Sequence, residues 1–98
     1  MTQDEALVVR YLQKFAGQWV SHCAMLNILG DAKVGYSKGR LYVDRETRRR
    51  AWLEMRRAVN SLRKAGVVIR RYLESDTIGK RGPQMIRLHA SFERKTVL

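Results

Sequence analysis

Guanidinium groups are the most abundant chemically active side chains in this sequence, and they are concentrated in one run. Residues 45–72 read RETRRRAWLEMRRAVNSLRKAGVVIRRY, with nine arginines and one lysine against two glutamates. Arginine can hold a phosphate group, or the O6/N7 edge of guanine, through two parallel hydrogen bonds. A run of this composition is compatible with a disordered basic tail, an amphipathic membrane helix or a folded element directed at an anionic partner.

The positive charge is unevenly distributed along the chain. The 98 residues carry 20 Lys and Arg and 9 Asp and Glu, a net charge of +11. In residues 1–30 two cations balance two carboxylates, so the whole excess lies in residues 31–98. Such an asymmetry indicates a basic face on a neutral scaffold, for which phosphate is the commonest partner.

The other reactive side chains favour no catalytic or metal site. No Ser/His/Asp or Cys/His set has a suggestive spacing, and no glycine-rich phosphate loop joins a strand to a helix. Cys23 lies in the apolar stretch HCAML and is expected to be a buried thiol. His22 and His89 lack ligand-like companions and are expected to be structural or surface residues. We therefore expect no enzyme activity, no metal and no cofactor.

Membrane insertion is not expected either. No apolar run approaches the roughly 18 residues that span a bilayer, and no signal peptide is evident. The predicted location is the cytoplasm, in association with the nucleoid.

Capping signals divide the first part of the chain into two helices. Thr2 and Glu5 form a capping-box pattern before a helix that Gly17 ends. QWVS, residues 18–21, predicts a brief strand or an extended link. Ser21 is a candidate N-cap for a short helix, HCAMLNILG, that ends at Gly30.

The basic run follows a connection, residues 31–44, which predicts a loop or small hairpin and contains Lys33 among its cations. Asp44 can cap a helix from Arg45 to about Ala65, and Gly66 suits its C-terminal cap. VVIRRYL then predicts a strand, ESDTIGKRGPQ a turn-rich loop, and MIRLHASF a second strand of a long hairpin.

The basic helix has two distinct faces. At about 100° per residue, an apolar stripe runs along one side, formed by Ala51, Trp52, Met55, Ala58, Val59 and Leu62. Arg49, Arg56 and Arg63 recur every seven residues on the other side. Pairs such as Glu46–Arg50 and Glu54–Arg57 offset a little of the repulsion. The stripe excludes a disordered tail, and the strand that follows argues against a membrane helix.

The order of elements and the segment VNSLRKAGVVIRRY resemble the winged helix-turn-helix, in which an LRKAG-like turn joins the recognition helix to the first wing strand. The resemblance implies an α+β fold with a three-helix core, a C-terminal β-hairpin wing and, here, a long connection between helices 2 and 3. It implies one domain over residues 1–98, with a core at about 3–90 and a tail at 91–98.

The same resemblance implies double-stranded DNA as the partner. The helix 45–65 would lie in the major groove and the wing 74–84 on the backbone or in the minor groove. Bases would be contacted near the helix start, with Leu53 against a thymine methyl, and phosphates near its end and at the wing tip. The DNA-binding residues expected are Lys38, Arg40, Arg45, Thr47, Arg48, Arg49, Arg56, Arg57, Asn60, Arg63, Lys64, Lys80 and Arg81.

Several roles are consistent with this expectation. The foremost is a small transcriptional regulator with sequence-specific or semi-specific binding, and a homodimer is a candidate arrangement because one small module covers limited DNA surface. The alternatives are an accessory protein of replication, partition or recombination, RNA binding, and a module that binds an acidic protein. No small-molecule effector is evident.

Overall fold

The chain folds into three α-helices and a three-stranded antiparallel sheet, which confirms the predicted α+β class. The structure, a computed structural model, describes residues 1–36, 43–73 and 82–92. The elements are α1 (Gln3–Gln13), β1 (Val20–Ser21), α2 (His22–Lys33), α3 (Arg45–Lys64), β2 (Val68–Tyr72), β3 (Gln84–Leu88) and a 3₁₀ turn (Ala90–Phe92). The predicted tail beyond residue 92 lies outside the described residues. No described helix is both long and apolar enough to cross a membrane.

The predicted capping residues begin all three helices. Thr2 and Glu5 form the complete capping box of α1, in which each backbone N–H is bonded to the other side chain. The hydrogen bonds from Thr2 lower the pKa of Glu5. Ser21 accepts from the backbone N–H of Ala24, and Asp44 accepts from that of Thr47. These bonds satisfy N–H groups that have no acceptor inside the helix, so the local sequence fixes where each helix begins.

Helix α2 is longer than predicted because Gly30 does not end it. The helix continues to Lys33, and Gly30 is buried where α2 crosses α3. A Cβ atom at Gly30 would lie 3.3 Å from the backbone nitrogen of Trp52 and 3.4 Å from its Cα. The glycine therefore permits close approach of two helix backbones, and the connection to α3 shortens to residues 34–44.

The buried face of α2 also differs from the prediction. His22, Met25, Leu26, Leu29 and Gly30 are buried, whereas Cys23 is exposed and Ile28 is 53% exposed. The buried positions follow i, i+3, i+4, i+7 and i+8 from the first helical residue. Cys23 is one position out of phase with this face, so the expectation of a buried thiol was wrong.

Helix α3 ends as predicted, in a Schellman motif around Gly66. Gly66 has φ +79°, its N–H donates to Arg63 at 3.1 Å, and that of Val67 donates to Leu62 at 3.0 Å. The reversal directs the chain into β2 without an intervening loop. Gly66 must thus adopt the left-handed backbone conformation, which glycine does without steric cost.

The sheet has the order β1-β3-β2, with β3 in the centre. Val68 pairs with Leu88 and Tyr72 with Gln84, while Val20 pairs with Ile86. The predicted second strand, MIRLHASF, was too long: β3 ends at Leu88, because Ser91 and Phe92 fold back to hydrogen-bond with His89. The loop between the strands, residues 74–81, lies outside the described residues.

The predicted apolar stripe of α3 forms the centre of the core. Ala51, Met55, Ala58, Val59 and Leu62 are at most 5% exposed, and they pack with residues of α1, α2 and the sheet. Trp52 differs, since it is only partly buried and packs against the edge of this cluster. It contributes to the core less completely than the stripe pattern predicts.

We expect Gly30→Val to destabilise the fold by about 1–3 kcal/mol, because its methyl groups would push α2 away from the backbone of Trp52. Ala24→Val is the surface control on the same helix: valine lowers helix propensity at the exposed Ala24 but raises it at Gly30, so a larger loss at Gly30 reports the packing contact. Urea denaturation of both variants measures the difference. Equal losses in the free energy of unfolding would contradict a close contact at Gly30.

Candidate nucleic-acid interface

The flank of α3 that faces α1 is electrostatically neutralised. Lys33, at the end of α2, hydrogen-bonds with Asp4 at 2.8 and 3.0 Å and also with Glu54. Burial lowers the pKa of Lys33, but the bonds to these two carboxylates outweigh it and the net pKa is raised. Lys33 is thus a structural cation at the end of α2, and the prediction that placed it in the connection was wrong. Glu54 pairs with Lys33 and not, as predicted, with Arg57.

Two predicted DNA-binding residues of α3 already have intramolecular partners. The Arg48 guanidinium hydrogen-bonds to Asp31 at 3.2 and 3.4 Å, and it lies 3.9 Å from the centroid of the Tyr36 ring. The Thr47 hydroxyl donates to the Asp44 carboxylate at 2.9 Å, within the N-cap. Both interactions hold the start of α3 in place. The Arg48 and Thr47 side chains therefore have a role within the fold.

The opposite flank of α3 carries cations without acidic partners. Arg49, Arg56 and Arg63 lie on it at intervals of seven residues. Within residues 1–36, 43–73 and 82–92, none of the three forms an ion pair with a carboxylate. Arg56 lies over the Trp52 ring, with its guanidinium carbon 5.7 Å from the ring centroid. The row therefore holds three positive charges that no described carboxylate pairs with.

His22 lies where this row meets the N-terminus of α2. Its side chain is 9% exposed, and its Nε2 has no hydrogen-bond partner among the described residues. Burial lowers the pKa of His22, and the charges of Arg56, Arg63 and Arg70 lower it further. The Nη1 atom of Arg63 is likewise buried without a partner in the described chain.

Arg70 of β2 contributes one of the charges that lower the pKa of His22. Side chains alternate along β2, so Arg70 projects from the same face as the buried Val68. Arg71 and Arg87 project from the opposite face, where their guanidinium carbons lie 4.7 and 5.5 Å from the Trp19 ring centroid. The sheet thereby adds cations on both of its faces.

A cleft separates α2 from the N-terminal half of α3. It has a volume of about 210 Å³, and Trp52 and Asn27 form part of its wall. Arg45 and Arg49 line it at the exposed end of α3. These two arginines therefore border a concave surface and are positioned to reach outward from it.

The structure brings together only part of the predicted set of DNA-binding residues. Arg49, Arg56 and Arg63 share one flank of α3, with Arg45 beside them and Asn60 next to that flank. Arg57 lies on the other flank, in a cleft with Glu5 and Glu54, and Lys64 is exposed on the last turn. Lys38, Arg40, Lys80 and Arg81 lie outside the described residues.

Sequence reasoning missed His22, Arg70, Arg71, Arg87 and Trp19 as members of the basic surface. The period of α2 could have placed His22 on the buried face, since it stands three and four residues before Met25 and Leu26. Because side chains alternate along a strand, the sequence of β2 could have placed Arg70 and Arg71 on opposite faces of the sheet. Their proximity to α3 depends on the tertiary fold and has no local signal.

Comparison with known proteins gives no further assignment. No protein-family model matches the chain, and searches of curated proteins and of solved structures gave no match.

His22 should make stability depend on pH. Its pKa is lowered from about 6.5 by folding, so the unfolded chain binds more protons just below that pH. The free energy of unfolding should therefore fall as the pH decreases from 7 through 6.5, by at most about 1.4 kcal/mol per pH unit from this residue. His22→Gln should flatten the slope measured by urea denaturation at pH 5.5–7.5. A wild-type slope in His22→Gln would contradict the assignment.

Proposed function

We propose that this chain binds double-stranded DNA, with α3 in the major groove and the β2–β3 hairpin against the backbone. The single observation that carries the proposal is the row formed by Arg49, Arg56 and Arg63. These arginines share one flank of α3 and form no ion pair within the part of the chain that the structure describes. Arg45 and Arg49, which are four residues apart on the same flank, repel each other, and an anionic partner would offset this repulsion.

The distribution of carboxylates supports the same proposal. Asp4 and Glu54 are held by Lys33, and Asp31 is held by Arg48. Asp44 is held in its cap by Thr47, and this interaction lowers the pKa of Asp44. These four carboxylates are thus engaged within the fold, although Asp31 lines the same cleft as Arg45 and Arg49. A helix with this separation of charge is suited to the phosphate-lined walls of a DNA groove.

The arrangement of elements gives further support. Helix, short strand, two helices and a hairpin, with the first strand paired to the last, match the winged-helix resemblance in the sequence. In that proposal α3 is the recognition helix, and the wing assigned to residues 74–84 falls mostly outside the described residues. A transcriptional regulator that acts by occupying its site is the role we propose, and a homodimer remains part of that proposal.

The roles of individual residues follow from their position on α3. Arg45 and Arg49, at the exposed start of the helix, are proposed to contact base edges, with Asn60 further along the same helix. Arg56, Arg63 and Lys64 are proposed to contact phosphates, which supply affinity with little sequence preference. Thr47 and Arg48 are omitted because they are engaged within the fold.

Binding to a fluorescein-labelled 20-base-pair duplex, measured by anisotropy at 50 and 200 mM salt, tests the proposal. We expect a dissociation constant below about 10 μM at low salt that weakens steeply as salt is added. Duplex RNA and anionic vesicles in parallel distinguish the alternatives. Tighter binding to RNA than to DNA would refute the proposal. Absence of binding to any duplex would also refute it, and would leave an acidic protein as the candidate partner.

Arg49→Ala should reduce affinity for a selected DNA site by about 1–3 kcal/mol and relax the preference at one base pair. Arg56→Ala should instead weaken binding to specific and random duplexes alike. It should also lower the slope of log affinity against log salt concentration by about one. Arg10→Ala, which removes an exposed arginine from α1, controls for the loss of charge alone. Identical behaviour of Arg49→Ala and Arg56→Ala on both kinds of duplex would overturn the division into base and phosphate contacts.

A further inference from the structure

The cleft between α2 and the first turns of α3 has an apolar wall. Leu26 and Gly30 of α2 and Trp52 of α3 line it. Leu26 is fully buried and Trp52 is only partly buried, so the indole lies between the core and the surface. An aromatic side chain in the wall of a concave surface provides a large contact area for a flat apolar group. This part of the cleft therefore favours a ligand with an apolar body.

The charged side chains of the same cleft are mainly arginines. Arg45, Arg48 and Arg49 line it, together with the carboxylate of Asp31. That carboxylate is bound by the Arg48 guanidinium at 3.2 and 3.4 Å, so these two charges offset each other. Among the residues whose positions are described, Arg45 and Arg49 form no ion pair with a carboxylate. The cleft therefore retains two positive charges and favours an anion.

Arg45 and Arg49 are suited to hold one small anion together. They are four residues apart, so they lie on the same side of α3 one turn from each other. Both are exposed, and a guanidinium group can bind a carboxylate through two parallel hydrogen bonds. A carboxylate between them would also offset their mutual repulsion. Asn27, exposed on the facing helix, adds an amide that can donate to or accept from a polar group of the ligand.

The size of the cleft limits the ligand to a small molecule. Its volume is about 210 Å³, less than the roughly 300 Å³ at which sites for drug-sized ligands begin. A single aromatic ring that carries a carboxylate belongs to this size class. The cleft between α1 and α3 differs in charge, because Asp4, Glu5 and Glu54 line it with Arg57. An anion should therefore prefer the cleft between α2 and α3.

We propose that the cleft between α2 and α3 binds a small aromatic carboxylate, with the carboxylate between Arg45 and Arg49 and the ring against Trp52, and that the bound ligand releases DNA. Arg45 and Arg49 are the side chains proposed above to contact base edges, so the ligand and DNA compete for them. The release of DNA rests on that proposed function. The ligand site itself rests on the cleft, its two unpaired arginines and its apolar wall.

Titration of the isotope-labelled chain with benzoate, followed by nuclear magnetic resonance, tests the ligand site. The chain has two tryptophans, and Trp19→Phe assigns their indole N–H signals. The Trp52 signal should shift and saturate with a dissociation constant on the order of 1 mM. Trp19 is the internal control, because it lies beside Arg71 and Arg87 but lines neither of the two clefts described above. Equal saturation of both signals would mean that any tryptophan beside arginines suffices, and would overturn the site.

Two further ligands separate the charge from the ring. Benzamide has the shape of benzoate without its charge, and acetate has the carboxylate without the ring. Each should bind more weakly than benzoate by a factor of about ten or more. Binding of benzamide as tight as that of benzoate would overturn the role of the arginines, and binding of acetate as tight would overturn the role of the apolar wall.

Two arginine variants test the placement of the carboxylate. Arg49→Gln should lower benzoate affinity by about tenfold, because a bidentate contact is lost. Arg50→Gln removes a neighbouring arginine of the same helix that lies outside the cleft lining, and it should lower the affinity by less than about twofold. Both side chains are exposed, so neither change removes a core contact. Equal losses in the two variants would overturn the placement.

The release of DNA is measured by anisotropy of the labelled duplex with and without benzoate, with sodium acetate as the matched salt. At about ten times its own dissociation constant, benzoate should raise the apparent dissociation constant of the duplex by about tenfold. Arg50→Gln should respond to benzoate as the wild type does. Arg49→Gln should bind the duplex more weakly and respond less to benzoate.

The outcomes separate this inference from the proposed function. Saturable shifts of the Trp52 signal, with duplex affinity unchanged by benzoate, would overturn the release of DNA while leaving the ligand site and DNA binding intact. Saturable shifts in a chain that binds no duplex would support the ligand site and refute the proposed function. Duplex binding without a shift of the Trp52 signal in benzoate would overturn the ligand site and leave DNA binding intact.

Discussion

The apolar stripe of α3 is the feature on which the remaining architecture depends. Met55, Val59 and Leu62 are almost completely buried, and the same stripe contacts α1, α2 and the sheet. A helix with eight arginine and lysine residues and two glutamates gains little stability from its own charges. Burial of the stripe must therefore supply the stability that holds the cations in one orientation. Gly30 belongs to the same constraint, because it lets α2 approach α3 closely enough to cover the stripe.

Once α3 is fixed, its two flanks differ in their surroundings. Asp4 of α1 and Lys33 of α2 meet Glu54 on one flank, where both signs of charge are present. On the other flank, α3 and β2 place Arg56, Arg63 and Arg70 around the start of α2. This separation arises from packing, because nothing in the local sequence of α3 tells an arginine near carboxylates from one near other cations. The proposed DNA-binding surface is thus a product of tertiary structure as much as of composition.

Features with a local physical cause could be predicted from the sequence. The caps at Thr2, Ser21 and Asp44, the terminator at Gly66 and the buried stripe of α3 all depend on neighbours within one helical turn or on helical period. Features that depend on another element could not. Gly30 has the sequence signature of a helix end, but the nearby backbone of α3 gives it a different role. Glu54 has a suitable partner in Arg57, but Lys33 arrives from α2 and takes its place.

The junction at Ser21 constrains which length changes the chain can tolerate. Ser21 is at once the last residue of β1, paired with Met85, and the N-cap of α2. No residue separates the sheet from the helix, so this boundary has no segment that could absorb an insertion. One extra residue there would either rotate α2 by about 100° or turn β1 over, exchanging the faces of the strand. Length variation should accordingly be excluded from this point and be confined to positions such as the connection between α2 and α3.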